Sequence, residues 1–204
     1  MELTAAEPRR KHLTQLYIDG EQAVKIDTET FLRSGLRPGD ELTDEELHEL
    51  IQASDAQRAK EKALYLLEHR SHSKKELTEK IARTAASREA AQAAADRMEE
   101  LGLLNDEDYA RRYARELFTR KRWGAMRVKQ ELKRKGIAPE LVDELLTEYQ
   151  DEDATLENMR ALLEKKYPDW PDDEKVRRRA FAALQRLGYS YADIRRAMES
   201  DDYD

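Results

Sequence analysis

The stretch Val128-Lys129-Gln130-Glu131-Leu132-Lys133-Arg134-Lys135-Gly136-Ile137 decides the fold. Val128 and Leu132 stand four apart and share one side of a helix, and cations fill much of the remainder. Gly136 stops that helix, because glycine takes the left-handed backbone of a helix end without strain. Pro139 suits the first turn of the next helix. The arrangement returns 52 residues later, where Val128, Leu132, Gly136, Ile137, Val142 and Leu146 fall on Ala180, Leu184, Gly188, Tyr189, Ile194 and Met198. It is also foreshadowed 51 residues earlier, where Ala63, Leu66, Leu77 and Ile81 precede Ala114, Leu117, Val128 and Leu132. Any two amphipathic helices share some apolar matches; the repeated glycine followed by a new helix is the more specific part. The periodicity predicts tandem three-helix units that lean on their neighbours.

Outward from this stretch the pattern stays helical from residue 55 on, with helices near 56–69, 74–84, 88–101, 106–121, 124–135, 139–149, 152–166, 173–187 and 191–199. Ser73, Ser87, Asn105 and Ser190 suit helix starts, and Tyr167-Pro168-Asp169-Trp170-Pro171 forces a non-helical connection. The first 55 residues differ. Gln15-Leu16-Tyr17-Ile18 and Ala23-Val24-Lys25-Ile26 are β-prone runs around Asp19-Gly20, a hairpin turn. Asp27 caps a short helix ended by Gly35, and Thr43 with Glu46 has capping-box spacing at the start of another. A hairpin alone is marginal, so a third strand or a packing neighbour is required. The predicted architecture is mainly α: tandem three-helix repeats over 56–104, 105–150 and 151–204, in an elongated curved array, preceded by a small α+β module over 1–55.

Composition excludes much. The 204 residues are 40% charged and contain no cysteine, so disulfides, thiol nucleophiles and cysteine-ligated metal sites are absent. Seven glycines form no phosphate loop. No nucleophile–base set is visible, and His69 and His72 lack an evident third ligand. A noncatalytic protein without metal or cofactor is expected. No apolar run approaches the roughly 18 residues of a membrane helix, and residues 1–11 lack a signal core. A cytoplasmic protein without membrane association is expected, and a monomer is taken as its working state.

The net charge of −7 conceals an asymmetry: residues 105–136 hold eleven basic and five acidic groups, whereas residues 137–204 hold ten and eighteen. On a helix over 106–122, Tyr109, Ala110, Tyr113, Ala114, Leu117 and Phe118 fill one arc of about 180°. Arg111, Arg112, Arg115 and Arg122 fall within about 100° on the other side. Arg127 and Arg134 point outward on the next helix, flanked by Lys129 and Lys133. Over 173–187, Lys175, Arg178, Arg179 and Arg186 oppose the stripe of Val176, Ala180, Leu184 and Leu187. These faces suit phosphates or carboxylates of an anionic partner; a solvated helix surface has the same composition. Tyr109, Tyr113 and Phe118 fit the core, and Trp123 and Trp170 fit packing at helix junctions.

Several motifs carry a family resemblance. Ala63-Leu64-Tyr65-Leu66-Leu67-Glu68-His69-Arg70 with Ser73-Lys74-Lys75-Glu76-Leu77 resembles the first repeat of the RecX regulatory proteins. Leu103-Leu104-Asn105-Asp106-Glu107-Asp108-Tyr109-Ala110 and the stretch from Gly124 to Ile137 resemble their central repeat, and Lys175 to Tyr189 their third. The resemblance covers about residues 57–200; the N-terminal module is similar to an extension of longer members. It implies a regulator of RecA recombinase that lodges in the groove of the RecA–DNA filament and inhibits assembly, ATP hydrolysis and strand exchange, within DNA repair, homologous recombination and the SOS response. Partners would be the RecA filament and single-stranded or duplex DNA, bound weakly or within the filament. The filament-facing residues would be Arg111, Arg112, Arg115, Arg122, Arg127, Lys129, Lys133, Arg134, Lys175, Arg178, Arg179 and Arg186. Composition alone leaves two other readings open: a helix-turn-helix transcription factor and a helical adaptor for another acidic protein.

Overall fold

The structure, a computed structural model, describes residues 1–149 and 151–199. The chain divides into two compact units, Met1–Asn105 and the part from Asp106 on.

In the first unit, β1 (Leu3–Arg9), β2 (Leu13–Ile18) and β3 (Glu21–Asp27) form an antiparallel meander in that order. Asp19 and Gly20 turn β2 into β3 with φ of 51° and 84°. β1 supplies the third strand; its Ala-Ala-Glu-Pro sequence hides its nature, because Pro8 is tolerated only on a sheet edge. Leu3, Leu16 and Ile26 pack with Leu42 and Leu50. α1 (Thr28–Ser34) starts at Asp27, whose Oδ1 accepts the Thr30 N–H at 2.8 Å, and ends at Gly35 with φ of 75°.

α2 (Asp44–His69) starts with the expected Thr43/Glu46 capping box but runs unbroken for 26 residues, in place of a separate helix beginning near residue 56. The reason lies at Ser54. Its buried hydroxyl accepts the Asp27 N–H at 2.7 Å, so this serine ties the sheet to the helix and starts no new one. α2 thereby serves two cores, with Leu50 under the sheet and Ala59 and Ala63 against α3 (Lys74–Ala82) and α4 (Arg88–Glu100). Leu77, Ile81, Ala91, Ala95 and Met98 complete the latter.

The second unit holds α5 (Asp106–Arg115), α6 (Ala125–Arg134), α7 (Pro139–Glu148), α8 (Glu152–Lys166), α9 (Glu174–Arg186) and α10 (Tyr191–Glu199). Two cores follow one another along it. Ala114, Leu117, Val128, Leu132 and Val142 belong to one; Ala180, Leu184, Ile194 and Met198 belong to the other, with Trp170 buried among them. Of the matched positions, Val128, Leu132, Ile137 and Val142 and their counterparts Ala180, Leu184, Tyr189 and Ile194 are buried, whereas Leu146 is partly so. One helix departs from expectation. After Arg115 the chain widens into a π turn over Glu116–Arg120, with the Lys121 N–H on the Glu116 carbonyl at 3.1 Å and the Trp123 N–H on that of Leu117 at 3.0 Å. Arg122 follows it at φ of 51°, off the helix, so it does not continue the face of Arg111, Arg112 and Arg115. Among the described residues no helix is long and apolar enough to cross a membrane.

Candidate functional site

The cations named from sequence fall into two groups in the second unit: those held by nearby carboxylates and those left open. Arg111 is caged. Its Nη2 lies 2.6 Å from Glu144, Nη1 3.0 Å from Glu148 and Nε 3.2 Å from Glu107. Those hydrogen bonds, Glu144 foremost, raise its pKa and keep it charged. Lys129 pairs with Asp143 at 2.6 Å, Arg178 with Glu174 at 3.0 Å and Arg134 with Glu131 at 2.5 Å. Glu131 also accepts the Tyr113 hydroxyl at 2.9 Å. The Arg134 bond is the main cause of its lowered pKa, while burial and that same carboxylate push the Tyr113 phenol up.

Arg112 reaches only the Asp108 carbonyl, at 3.1 Å. Arg115, Arg122, Lys133, Lys175, Arg179 and Arg186 are exposed and make no side-chain hydrogen bond or ion pair among the described residues. Arg120 and Arg177, passed over in the sequence, share that condition.

Arg127 has a different setting. Its guanidinium lies 3.8 Å from the centre of the Trp123 ring, and its Nη1 donates to the Arg186 carbonyl at 3.1 Å. It therefore bridges the second and third repeats at the carbonyl end of α9, where a positive charge is favoured. Around it the backbones meet directly. The Gly124 N–H donates to the Leu187 carbonyl at 2.8 Å and the Met126 N–H to that of Gly188 at 3.2 Å. The buried Tyr189 hydroxyl donates to the Arg122 carbonyl at 2.8 Å, and burial pushes its pKa up to about 12.

The result is a strip of alternating cations and half-buried rings. Lys135 and Lys121 stand 5.7 Å and 5.9 Å from the Tyr113 ring, Lys121 also stands 5.0 Å from Trp123, and Arg127 covers that indole. Cations interleaved with aromatic rings suit a nucleic-acid strand or an acidic protein surface. Lys121-Arg122-Trp123 carries the signal in the sequence, but Tyr113 and Trp123 read there first as packing groups and second as a stacking or partner contact.

Family models match two parts of this unit: the second three-helix domain of RecX at residues 105–146 and the third at residues 152–198. The regulatory protein RecX of Trichlorobacter lovleyi is 34% identical over 140 residues, 67% of this chain and 91% of that one. The chain belongs to the RecX family. The RecX of Caldanaerobacter subterraneus is 28% identical over 187 residues, 90% of each chain. Two crystal structures share the fold. A regulatory protein RecX superposes with a TM-score of 0.68 over 98% of each chain at 19% identity, and RecX from Lactobacillus salivarius with 0.63 over 74% of this chain and 99% of that one at 23% identity. RecX membership thus covers both repeats that carry the open cations and the strip at their junction.

Proposed function

We propose that this chain is a noncatalytic regulator of RecA recombinase, acting in the cytoplasm as a monomer on the RecA–DNA filament and inhibiting its assembly, ATP hydrolysis and strand exchange. Residues 56–104 serve as a first three-helix repeat beside the two matched by family models, with residues 1–55 as an N-terminal module. The observation that carries the proposal is the set of open cations beside the Tyr113–Trp123 strip in a RecX second repeat. Arg112, Arg115, Arg122 and Lys133 contact acidic RecA surface or DNA phosphates through charge-assisted bonds, and Lys175, Arg179 and Arg186 extend the contact along the third repeat. Arg111, Lys129, Arg134 and Arg178 act through the acids that hold them and contribute less.

The test is RecA filament assembly on single-stranded DNA with the chain carrying Arg115→Glu, Arg120→Glu and Lys133→Glu. Arg111 is spared because a glutamate there would gather four carboxylates. Exposed ionic contacts are worth about 1 kcal/mol each, so inhibition should weaken roughly 10–100-fold and fall with added salt. Circular dichroism first establishes that the helices survive. A folded variant with undiminished potency would remove the second repeat from the interface.

A further inference from the structure

The N-terminal unit carries a basic feature that the RecA proposal leaves unused. Residues 1–56 hold only six lysines and arginines against thirteen acids, yet Arg9, Arg10 and Lys11 are consecutive and His12 follows. They form the tip between β1 and β2, and all four are exposed. Arg9 is bound to Glu7 and to the Tyr17 hydroxyl, at 2.6 Å and 3.1 Å. The other three make up the loop.

Two properties make the loop a built feature. Lys11 and His12 both adopt left-handed backbone, with φ of 63° and 55°, where glycine or asparagine would sit without strain. Strain of this kind persists where the surrounding structure enforces it. The structure does enforce it: the His12 carbonyl accepts the Thr28 N–H at 2.9 Å, and the Thr14 and Thr28 hydroxyls meet at 3.0 Å.

The tip overlooks a cavity of about 770 Å³ whose lining includes Lys11, His12, Arg58, Lys62 and Tyr65. Its acids are already engaged. Asp27 is buried and caps α1, Asp55 lies 3.8 Å from Arg58, and Glu61 accepts from Gln57 at 3.1 Å. Lys62 stands 5.0 Å from the Tyr65 ring, which remains 53% exposed and packs against His69. Cations beside an exposed ring suit a single nucleic-acid strand, with phosphates on the cations and a base on the ring.

We propose that Arg10, Lys11 and His12, with Lys62 and Tyr65 of α2, form a second nucleic-acid site that takes a single strand. It does not rest on the RecA reading, because a strand site on this loop and α2 is tested with no recombinase present.

The test uses the full chain and a short fluorescein-labelled oligothymidylate, read by anisotropy over a series of salt concentrations. Arg10→Gln, Lys11→Asn and Lys62→Gln together should raise Kd about tenfold and lower the slope of log K against log salt by about two. A duplex of equal length should bind more weakly than the strand. A strand carrying 5-bromodeoxyuridine, irradiated with the wild-type chain, should crosslink to peptides containing His12 or Tyr65; this readout stands even if the triple variant misfolds. Failure of the wild-type chain to bind the strand, an unchanged Kd and slope in a folded variant, tighter duplex binding, or crosslinks confined to residues beyond Asn105 would each overturn the proposal.

Discussion

The turns before α3 and α6 occupy equivalent positions, 51 residues apart, and are built in opposite ways. In the first, Ser73 caps α3 by accepting the Glu76 N–H at 3.2 Å, and His72 is buried beneath it. In the second, His72 and Ser73 are replaced by Trp123 and Gly124. Gly124 has no side chain to cap α6; the Gly188 carbonyl accepts the Met126 N–H instead, and the Gly124 N–H goes to Leu187. The second turn has exchanged a local cap for a seam with the third repeat. A helix start can be completed from within its repeat or by its neighbour, and only the neighbour's version makes two repeats one unit.

The largest effects should come from closing that seam. A Cβ at Gly124 would lie 2.3 Å from the Gly188 carbonyl oxygen, and one at Gly188 would lie 2.4 Å from Arg127. Gly188 also has φ of 88°. Gly188→Ala adds left-handed strain to overpacking and should destabilise the second unit by about 3 kcal/mol. Gly124→Ser, which installs the serine of the first repeat, should cost about 2 kcal/mol net, since the clash exceeds any capping gain. Gly102→Ala is the control. Its φ of 70° imposes strain, but a Cβ there meets nothing within 4 Å, and about 1 kcal/mol should be lost. Urea unfolding followed by Trp123 and Trp170 fluorescence reports on the second unit, and far-ultraviolet circular dichroism reads the loss in Gly102→Ala, which lies in the first. If Gly124→Ser is as stable as wild type, the seam is looser than the backbone bonds imply.

A smaller loss tests the other turn. Ser73→Ala removes the cap of α3 and should lower stability by about 1 kcal/mol. The comparison would break if it were silent, because the first turn would then need no cap of its own. The measurement is urea unfolding followed by far-ultraviolet circular dichroism.

The helix ends at Gly136 and Gly188 and the buried faces of α6 and α9 were legible because each glycine stop and apolar stripe is local. Gly136 and Gly188 announce helix ends whatever surrounds them, and Val128 and Leu132 show their buried side through spacing alone. The length of α2 was not legible: a helix was expected to begin near residue 56, and the bond that ties the buried Ser54 hydroxyl to the Asp27 N–H comes from a strand 27 residues away. Nor was the path of Arg122, displaced by the π turn after Arg115. The site was legible as composition but not as availability. Arg111 and Arg115 read alike on one helix face, yet the acids that cage Arg111 include Glu144 and Glu148, which lie 33 and 37 residues away. Which cations remain open is decided by tertiary contacts that periodicity does not encode.

The smallest effect concerns the group beneath the Ser73 cap. His72 is 2% exposed, its Nδ1 has no hydrogen-bond partner among the described residues, and Glu76 lies 3.5 Å away. Burial lowers its pKa below the usual value, Arg70 and Lys80 lower it further, and Glu76 opposes them. The unfolded chain therefore binds a proton at this residue more readily than the folded one. Stability contributed by neutral His72 is complete above the unfolded pKa of about 6.5 and declines as pH falls through the folded value. The equivalent Trp123 cannot titrate, so this sensitivity should belong to the first turn alone. Residue-resolved hydrogen exchange at about pH 7.5 and about pH 5.5, corrected for intrinsic rates, should show protection falling in α3 and α4 of the wild type and less so in His72→Gln. The exposed histidines His12, His48 and His69 are common to both chains and cancel in the difference. An equal loss in the two chains would mean that the buried imidazole is not the titrating group. An equal loss in α6 would mean that the two turns do not differ in the way their sequences and contacts require.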